Sequence, residues 1–248
     1  MPKLCVLIPA YNSAHFLPDL IGQAARYLPS EDDGIIVLDD GSSDDTFGVA
    51  NSLPRVKAYS NGTNRGYGYT SQRLFRLALE NGADYAIHMH SDFNHDPANI
   101  AKLITSYEEK SHDMIVGSRL LFLYDLYKKS FWSLLSNKKR NNMPLIRVAG
   151  HFAVTALQNF CYGTNLHCYH DGMRLTGKRT MEWIVAQDMP HWYHYDGQLY
   201  MRLATSGFRI GEVPIPPFYN DLAKSSAPPF RYGMKCAALA LKHKFGRR

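Results

Sequence analysis

One stretch of the chain gathers groups suited to a metal-bound diphosphate: His88-Met89-His90-Ser91-Asp92-Phe93-Asn94-His95-Asp96-Pro97. It follows an apolar run and precedes a helical pattern, so its carboxylates stand at a strand end. Mg2+ and Mn2+ take oxygen ligands and keep waters and substrate phosphates in their shell, so one well-placed carboxylate can recruit such an ion. Asp92 is the first candidate ligand. His90 lies two residues earlier, on the same side of an extended backbone, where it can ligate Mn2+, contact phosphate, or simply bond to backbone in a cleft. Asp96-Pro97 reads equally well as a cap for the next helix. His88, His90 and His95 fit no common zinc spacing, and no cysteine is near them.

Four further runs share this placement. Val37-Leu38-Asp39-Asp40-Gly41-Ser42 puts two acids at a strand end, where they can accept hydrogen bonds from a nucleobase or ribose or form an ordinary turn. Ile8-Pro9-Ala10-Tyr11-Asn12 ends the first strand, and its backbone groups with Tyr11 can hold a base. Asn64-Arg65-Gly66-Tyr67-Gly68-Tyr69 has glycines that permit close backbone approach to a ligand, without a P-loop ending or a dinucleotide fingerprint. Val116-Gly117-Ser118-Arg119 delivers an arginine suited to gripping phosphate.

The elements that must position these runs alternate. Apolar or β-branched runs at 4–8, 34–38, 56–59, 85–89 and 114–117 read as strands, and helical periods span 14–28, 44–53, 70–81 and 97–109. Such alternation predicts a mostly parallel α/β sheet flanked by helices, with ligands beyond the carboxyl ends of its strands. Residues 121–170 read as helical and mixed, 197–206 as a helix, 208–215 as a strand, 220–229 as a loop and 232–245 as a basic amphipathic helix. The expected organisation is one domain over 1–220 and a basic C-terminal appendage over 221–248.

Composition narrows the class. With 248 residues, 45% of them hydrophobic, the chain can bury a substantial core and is not disordered. The net charge of +6 points to anionic partners. Beyond Asp221 no acid occurs, while Lys224, Arg231, Lys235, Lys242, Lys244, Arg247 and Arg248 follow, which reads as a solvated tail or as an anionic membrane-surface contact. Cys5, Cys161, Cys168 and Cys236 form no CxxC pair, so a reducing, cytoplasmic setting is expected. No run reaches the roughly 18 apolar residues that span a bilayer, so the expected protein is soluble or peripheral on the cytoplasmic membrane face. No nucleic-acid module is recognised.

In this order and spacing the five runs resemble glycosyltransferase family 2, whose fold is GT-A. The family's V-x-I-P-x-Y-N is found as residues 6–12, its D-D-G-S-x-D-x-T as 39–46, its N-x-G as 64–66, its metal motif as 90–97 and its G-S-R as 117–119. Met143 to Arg147, the run Asp171-Gly172-Met173-Arg174, and residues 207–214 resemble the branch of dolichyl-phosphate mannose synthase and polyprenyl-phosphate sugar transferases. The resemblance covers nearly the whole chain. It implies a UDP- or GDP-sugar donor held by Pro9, Ala10, Tyr11, Asn12, Asp39, Asp40, Asn64, Gly66 and Ser91. It implies Mg2+ or Mn2+ at Asp92, with His90 and Asn94 beside it, and phosphate contacts from Arg119. Arg147, Arg174 and Lys224 become candidates for an acceptor phosphate. His90 stands where the family has its first Asp, Asn94 where it has Gln, and only Lys224-Ser225 survives of a late R-x-x-G-x-S-K segment.

The implied reaction is inverting transfer to a polyprenyl phosphate. A hydroxyl acceptor needs a general base, whereas a phosphate is already ionised. Asp171, Asp188 and Asp196 are the candidate bases, with Asp196 counted among the catalytic residues alongside Asp92 and Arg119. Two alternatives stay open: a soluble family member acting on a saccharide hydroxyl, and a nucleotide-sugar-binding protein without catalysis, suggested by His90.

Overall fold

The computed structural model describes residues 3–92, 94–129, 145–192, 194–216 and 229–246. Strands β1 (Leu4–Ala10), β2 (Gly34–Asp39), β3 (Val56–Ser60), β4 (Tyr85–His88), β5 (Met114–Ser118), β6 (Arg174–Gly177) and β7 (Ile210–Pro214) form one sheet in the order β3-β2-β1-β4-β6-β5-β7. Every pairing is parallel except those of β6, which runs antiparallel to both β4 and β5. The helices are α1 (Leu17–Ala25), α2 (Thr46–Ser52), α3 (Tyr67–Glu80), α4 (Asn99–Glu109), α5 (Arg119–Lys129), α6 (Leu145–Tyr162), α7 (Lys178–Val185), α8 (Tyr195–Thr205) and α9 (Pro229–Phe245).

Both faces of the sheet are covered, which is why β1 and β2 read as continuous apolar runs rather than alternating ones. Leu4, Val6 and Ile8 of β1 pack with Leu17, Leu20 and Ile21 of α1 and Ile100 and Leu103 of α4. Cys5 and Leu7 point the other way, into a cluster with Leu74 and Phe75 of α3, Ile184 of α7 and Leu199 of α8. The two-residue period of the strand thus feeds two separate cores. All four cysteines are buried free thiols. Among the described residues no helix is long and apolar enough to cross a membrane.

Some boundaries differ from the sequence reading, for local reasons. Helix α1 begins at Leu17 rather than Ala14, because Pro18 has no N–H to give and belongs in a first turn. Helix α3 begins at Tyr67, directly after Gly66 at φ 92°. The sequence reading did not contain β6 or α7. Four residues opening on an arginine carry no strand signature, and β6 owes its existence to partners on both edges.

Candidate active site

The strand ends β1, β2 and β4 share one edge of the sheet, with Ala10 opposite Asp39 and Leu7 opposite His88. The loops leaving it are tied together. Asn12, at φ 50°, donates its N–H to the Ser42 hydroxyl at 2.8 Å and accepts from the Ser43 N–H at 2.8 Å. The Ser13 N–H reaches Thr46 Oγ1 at 2.8 Å, and the Ser13 hydroxyl lies 2.8 Å from that of Ser91. Tyr11 projects from this knot with 51% of its surface open, and Asn64 is also exposed. Pro9 and Ala10 close the strand beneath Tyr11, Pro9 partly open and Ala10 buried.

Asp39 and Asp40 are buried behind the rim rather than open on it. Asp39 accepts from the Ser42 N–H at 3.0 Å and the Ser60 hydroxyl at 2.9 Å. Asp40 accepts from Asn61 Nδ2 at 2.7 Å and from the N–H groups of Arg65 and Gly66 at 2.9 Å each. A carboxylate has roughly four acceptor sites, so Asp40 spends most of them shaping the loop at 64–66. Gly41, at φ 72°, permits the packing of the two loops: a Cβ there would stand 2.4 Å from the Thr63 carbonyl carbon.

Past β4, the Asp92 carboxylate is partly open and, among the described residues, bonded only to Asn94, accepting from the Asn94 N–H at 3.1 Å and Asn94 Nδ2 at 2.5 Å. Among the described residues no lysine or arginine forms an ion pair with it. An uncompensated hard oxygen donor at a sheet edge fits Mg2+ or Mn2+. No group of three His, Cys, Asp or Glu side chains gathers in metal-binding geometry among the described residues, so a metal here would draw ligands from a substrate as well. His90 faces inward: its Nε2 lies 3.3 Å from the Tyr67 hydroxyl and packs over Gly172, where a Cβ would stand at 1.8 Å. His95 is 3% exposed, and among the described residues neither ring nitrogen has a hydrogen-bond partner. Burial first, then Arg119 and His90, push its pKa well below the usual imidazole range. Burial, Arg174 and His90 do the same to His88, which is held between the Gly172 carbonyl and the Ser71 hydroxyl.

Two ion pairs underlie this edge. Arg119 donates its backbone N–H to Asp171 at 2.9 Å and its Nε at 2.5 Å. Burial alone would raise the Asp171 pKa, but Arg119 more than offsets it and holds the carboxyl below its ordinary value. The Arg119 side chain keeps 16% of its surface open, so it still reaches the rim. Arg174 opens β6, and because that strand is antiparallel its first residue stands at the same edge as the ends of β4 and β5. It does not present an open phosphate site, however. Its guanidinium is fully buried, paired to Asp196 at 2.6 Å and ringed by Phe75, Tyr195 and Tyr200. Asp196, 6% exposed, also accepts from the Tyr67 hydroxyl at 3.1 Å on each oxygen. That occupancy departs from a base facing an acceptor.

Lys224 and the side chain of Arg147 lie outside the described residues. The sequence reading had no sign of the roles of Ser13, Thr46, Asn61 and Tyr67. Tyr67 stood in a quoted motif, but its partner Asp196 is 129 positions away, and no local pattern reports that.

The profile of Glycosyl transferase family 2 matches residues 5–176. The chain belongs to that family. Over 98% of its length this family 2 glycosyltransferase is 24% identical to the UDP-N-acetylglucosamine--dolichyl-phosphate N-acetylglucosaminyltransferase of Methanococcus voltae, covering 96% of that protein. It is 26% identical, over 90% of its own length and 86% of the relative's, to the undecaprenyl-phosphate mannosyltransferase of Micrococcus luteus. Both relatives fall in the polyprenyl-phosphate branch that the sequence motifs resemble. Among solved structures, glucosyl-3-phosphoglycerate synthase of Mycobacterium tuberculosis, crystallised with Mn2+, UDP and phosphoglyceric acid, superposes with a TM-score of 0.68 at 14% identity, covering 100% of this chain and 80% of that one. At that identity the likeness shows the shared fold, and the mostly parallel sheet with flanking helices is the expected GT-A arrangement.

Proposed function

We propose that this family 2 glycosyltransferase moves a sugar, with inversion, from a nucleoside-diphosphate sugar to the phosphate of a polyprenyl lipid. The observation that carries the choice of acceptor is the state of the buried carboxylates. An alcohol acceptor needs a base near the anomeric carbon. Asp171 is engaged by Arg119 and Asp196 by Arg174 and Tyr67, so the oxygens of both are taken up by protein partners rather than turned to an acceptor hydroxyl. A phosphate acceptor arrives ionised and needs none. The names of the M. voltae and M. luteus relatives point the same way.

In this reading Tyr11 lies against the base, while the backbone at 9–12 and the loop at 64–66, shaped by Asp40, line the nucleoside. Asp92, flanked by Asn94 and with His90 behind it, would hold the divalent cation. When bound, Mg2+ or Mn2+ offsets the charge developing on the leaving diphosphate. Arg119, fixed by Asp171, meets a phosphate of donor or acceptor at the rim. Arg174 and Asp196 act from below, holding Tyr67 and through it His90 at the floor of the site. Arg147 and Lys224 stay proposed contacts of the acceptor phosphate.

The test is direct. Purified protein is incubated with Mn2+, radiolabelled UDP- or GDP-sugars and undecaprenyl or dolichyl phosphate, then extracted with organic solvent. Label in the lipid phase that requires both donor and polyprenyl phosphate is the expected result. Label transferred only to soluble saccharide would replace the lipid acceptor, and donor binding without any transfer or hydrolysis would remove the enzymatic reading.

A further inference from the structure

Helix α9 is apolar on two opposite sides. On one side Cys236 and Ala240 are buried, and the helix packs along α6. On the other, Met234, Leu241 and Phe245 are 59%, 42% and 66% exposed, with Ala238 exposed among them. Positions 234, 238, 241 and 245 follow the helical repeat, so these four side chains form one continuous stripe. A helix that only covers a core turns a polar side to solvent; this one does the reverse. Exposed lysines border the stripe, Lys235 and Lys242 on one flank and Lys244 on the other, each roughly 70–90° around the helix from its centre. Phe160 of α6, 63% exposed, widens the apolar surface on the Lys244 flank, with Lys244 Nζ 4.8 Å from its ring centre. No acid occurs anywhere in α9.

The charge pattern selects the occupant. A second copy meeting this face about a two-fold axis would bring the same lysines against each other. A bilayer with anionic headgroups satisfies both features at once. The stripe enters the acyl boundary, while the lysine stems lie along it and lift their ammonium groups to lipid phosphates. We propose that α9 and Phe160 form a docking surface that lays this protein on an anionic membrane, with α9 in the plane of the interface.

The surface is also fixed relative to the candidate active site. The Tyr232 hydroxyl, in the first turn of α9, lies 3.1 Å from His170 Nδ1, and His170 precedes the Asp171 that holds Arg119. Docking α9 therefore sets the distance from the bilayer to the rim where Arg119 stands. The inference goes beyond the acceptor reading, since it rests on α9 and Phe160 whatever the transferred sugar reaches.

The test uses the full chain and vesicles without polyprenyl phosphate, so that its failure is separate from failure of the transfer reaction. The protein should cosediment with phosphatidylcholine vesicles containing phosphatidylglycerol, bind phosphatidylcholine alone far more weakly, and be released by salt. Each lysine near such a surface is worth about fivefold in partitioning, so K235Q/K242Q/K244Q should lower it on the order of 100-fold. L241N/F245N should lower it at least about tenfold. Both variants change exposed side chains and should keep the wild-type melting temperature and the thermal shift on adding nucleotide. If the apolar variant loses its native melt, the lysine variant and the salt series decide alone. No binding to the mixed vesicles would overturn the proposal. So would wild-type binding by either folded variant, or a dimer in light scattering that L241N/F245N dissolves.

Discussion

Replacing Asp196 by Asn strands a charge that the fold has buried. Arg174 has no exposed surface, and Asp196 is its ionic partner at 2.6 Å. Among the described residues Arg174 Nε and Nη2 have no hydrogen-bond partner, and besides Asp196 its Nη1 approaches the neutral Gly172 carbonyl at 3.5 Å, so no second carboxylate replaces the lost charge. Removing one member of a buried pair typically costs about 3–5 kcal/mol. The Asn carbonyl can still accept from Nη1, which recovers roughly 1 kcal/mol. The expected loss is therefore about 2–4 kcal/mol, or a fall in melting temperature of roughly 4–16 °C for a chain of this size. Urea denaturation followed by far-UV circular dichroism, with a parallel thermal melt, measures it. R174M/D196L removes both charges and fills the space with apolar side chains, and it should regain most of the stability lost by the single variant. Two results would refute the reasoning: Asp196→Asn within about 1 kcal/mol of wild type, or the double variant no more stable than the single one.

Asp92→Ala should lower the rate of sugar transfer by at least about 100-fold, read as initial rates with Mn2+, with the melting temperature nearly unchanged because, among the described residues, the side chain bonds only to Asn94. Gly172→Ala places a methyl 1.8 Å from His90 Nε2 and must displace that ring; the expected cost is about 1–3 kcal/mol in denaturant melts, with a fall in kcat. Burial first, then His151, lowers the His170 pKa from 6.5 to about 3. The unfolded imidazole takes a proton as pH falls below 6.5 while the folded one does not. Stability contributed by this group is thus complete above 6.5 and lost as pH falls toward about 3, by at most about 1.4 kcal/mol per pH unit. Subtracting the pH 7 to pH 5 change of His170→Asn from that of wild type isolates this increment, and equal changes in both would contradict it.

The architecture was largely legible in the chain itself, because hydrophobic period is a local property. Five apolar runs separated by helical patterns announced a parallel sheet, and short polar motifs at their ends announced a ligand edge. The order and spacing of those motifs alone resemble the family's. What only the tertiary structure decided is which charges meet. Arg119 finds Asp171 across 52 positions, Arg174 finds Asp196 across 22, and Tyr67 reaches Asp196 across 129. Asp39 and Asp40 look in sequence like ligands for a nucleoside, yet folding turns their oxygens onto Ser60, Asn61 and the loop at 64–66. Strand β6 escaped the sequence reading for the same reason. Its four residues carry little intrinsic preference, and it forms because β4 and β5 supply a backbone ladder on either side. Periodicity reports which side of an element is apolar. The cost of burying an ion, and hence the partner it must find, depends on groups brought together only when the sheet closes.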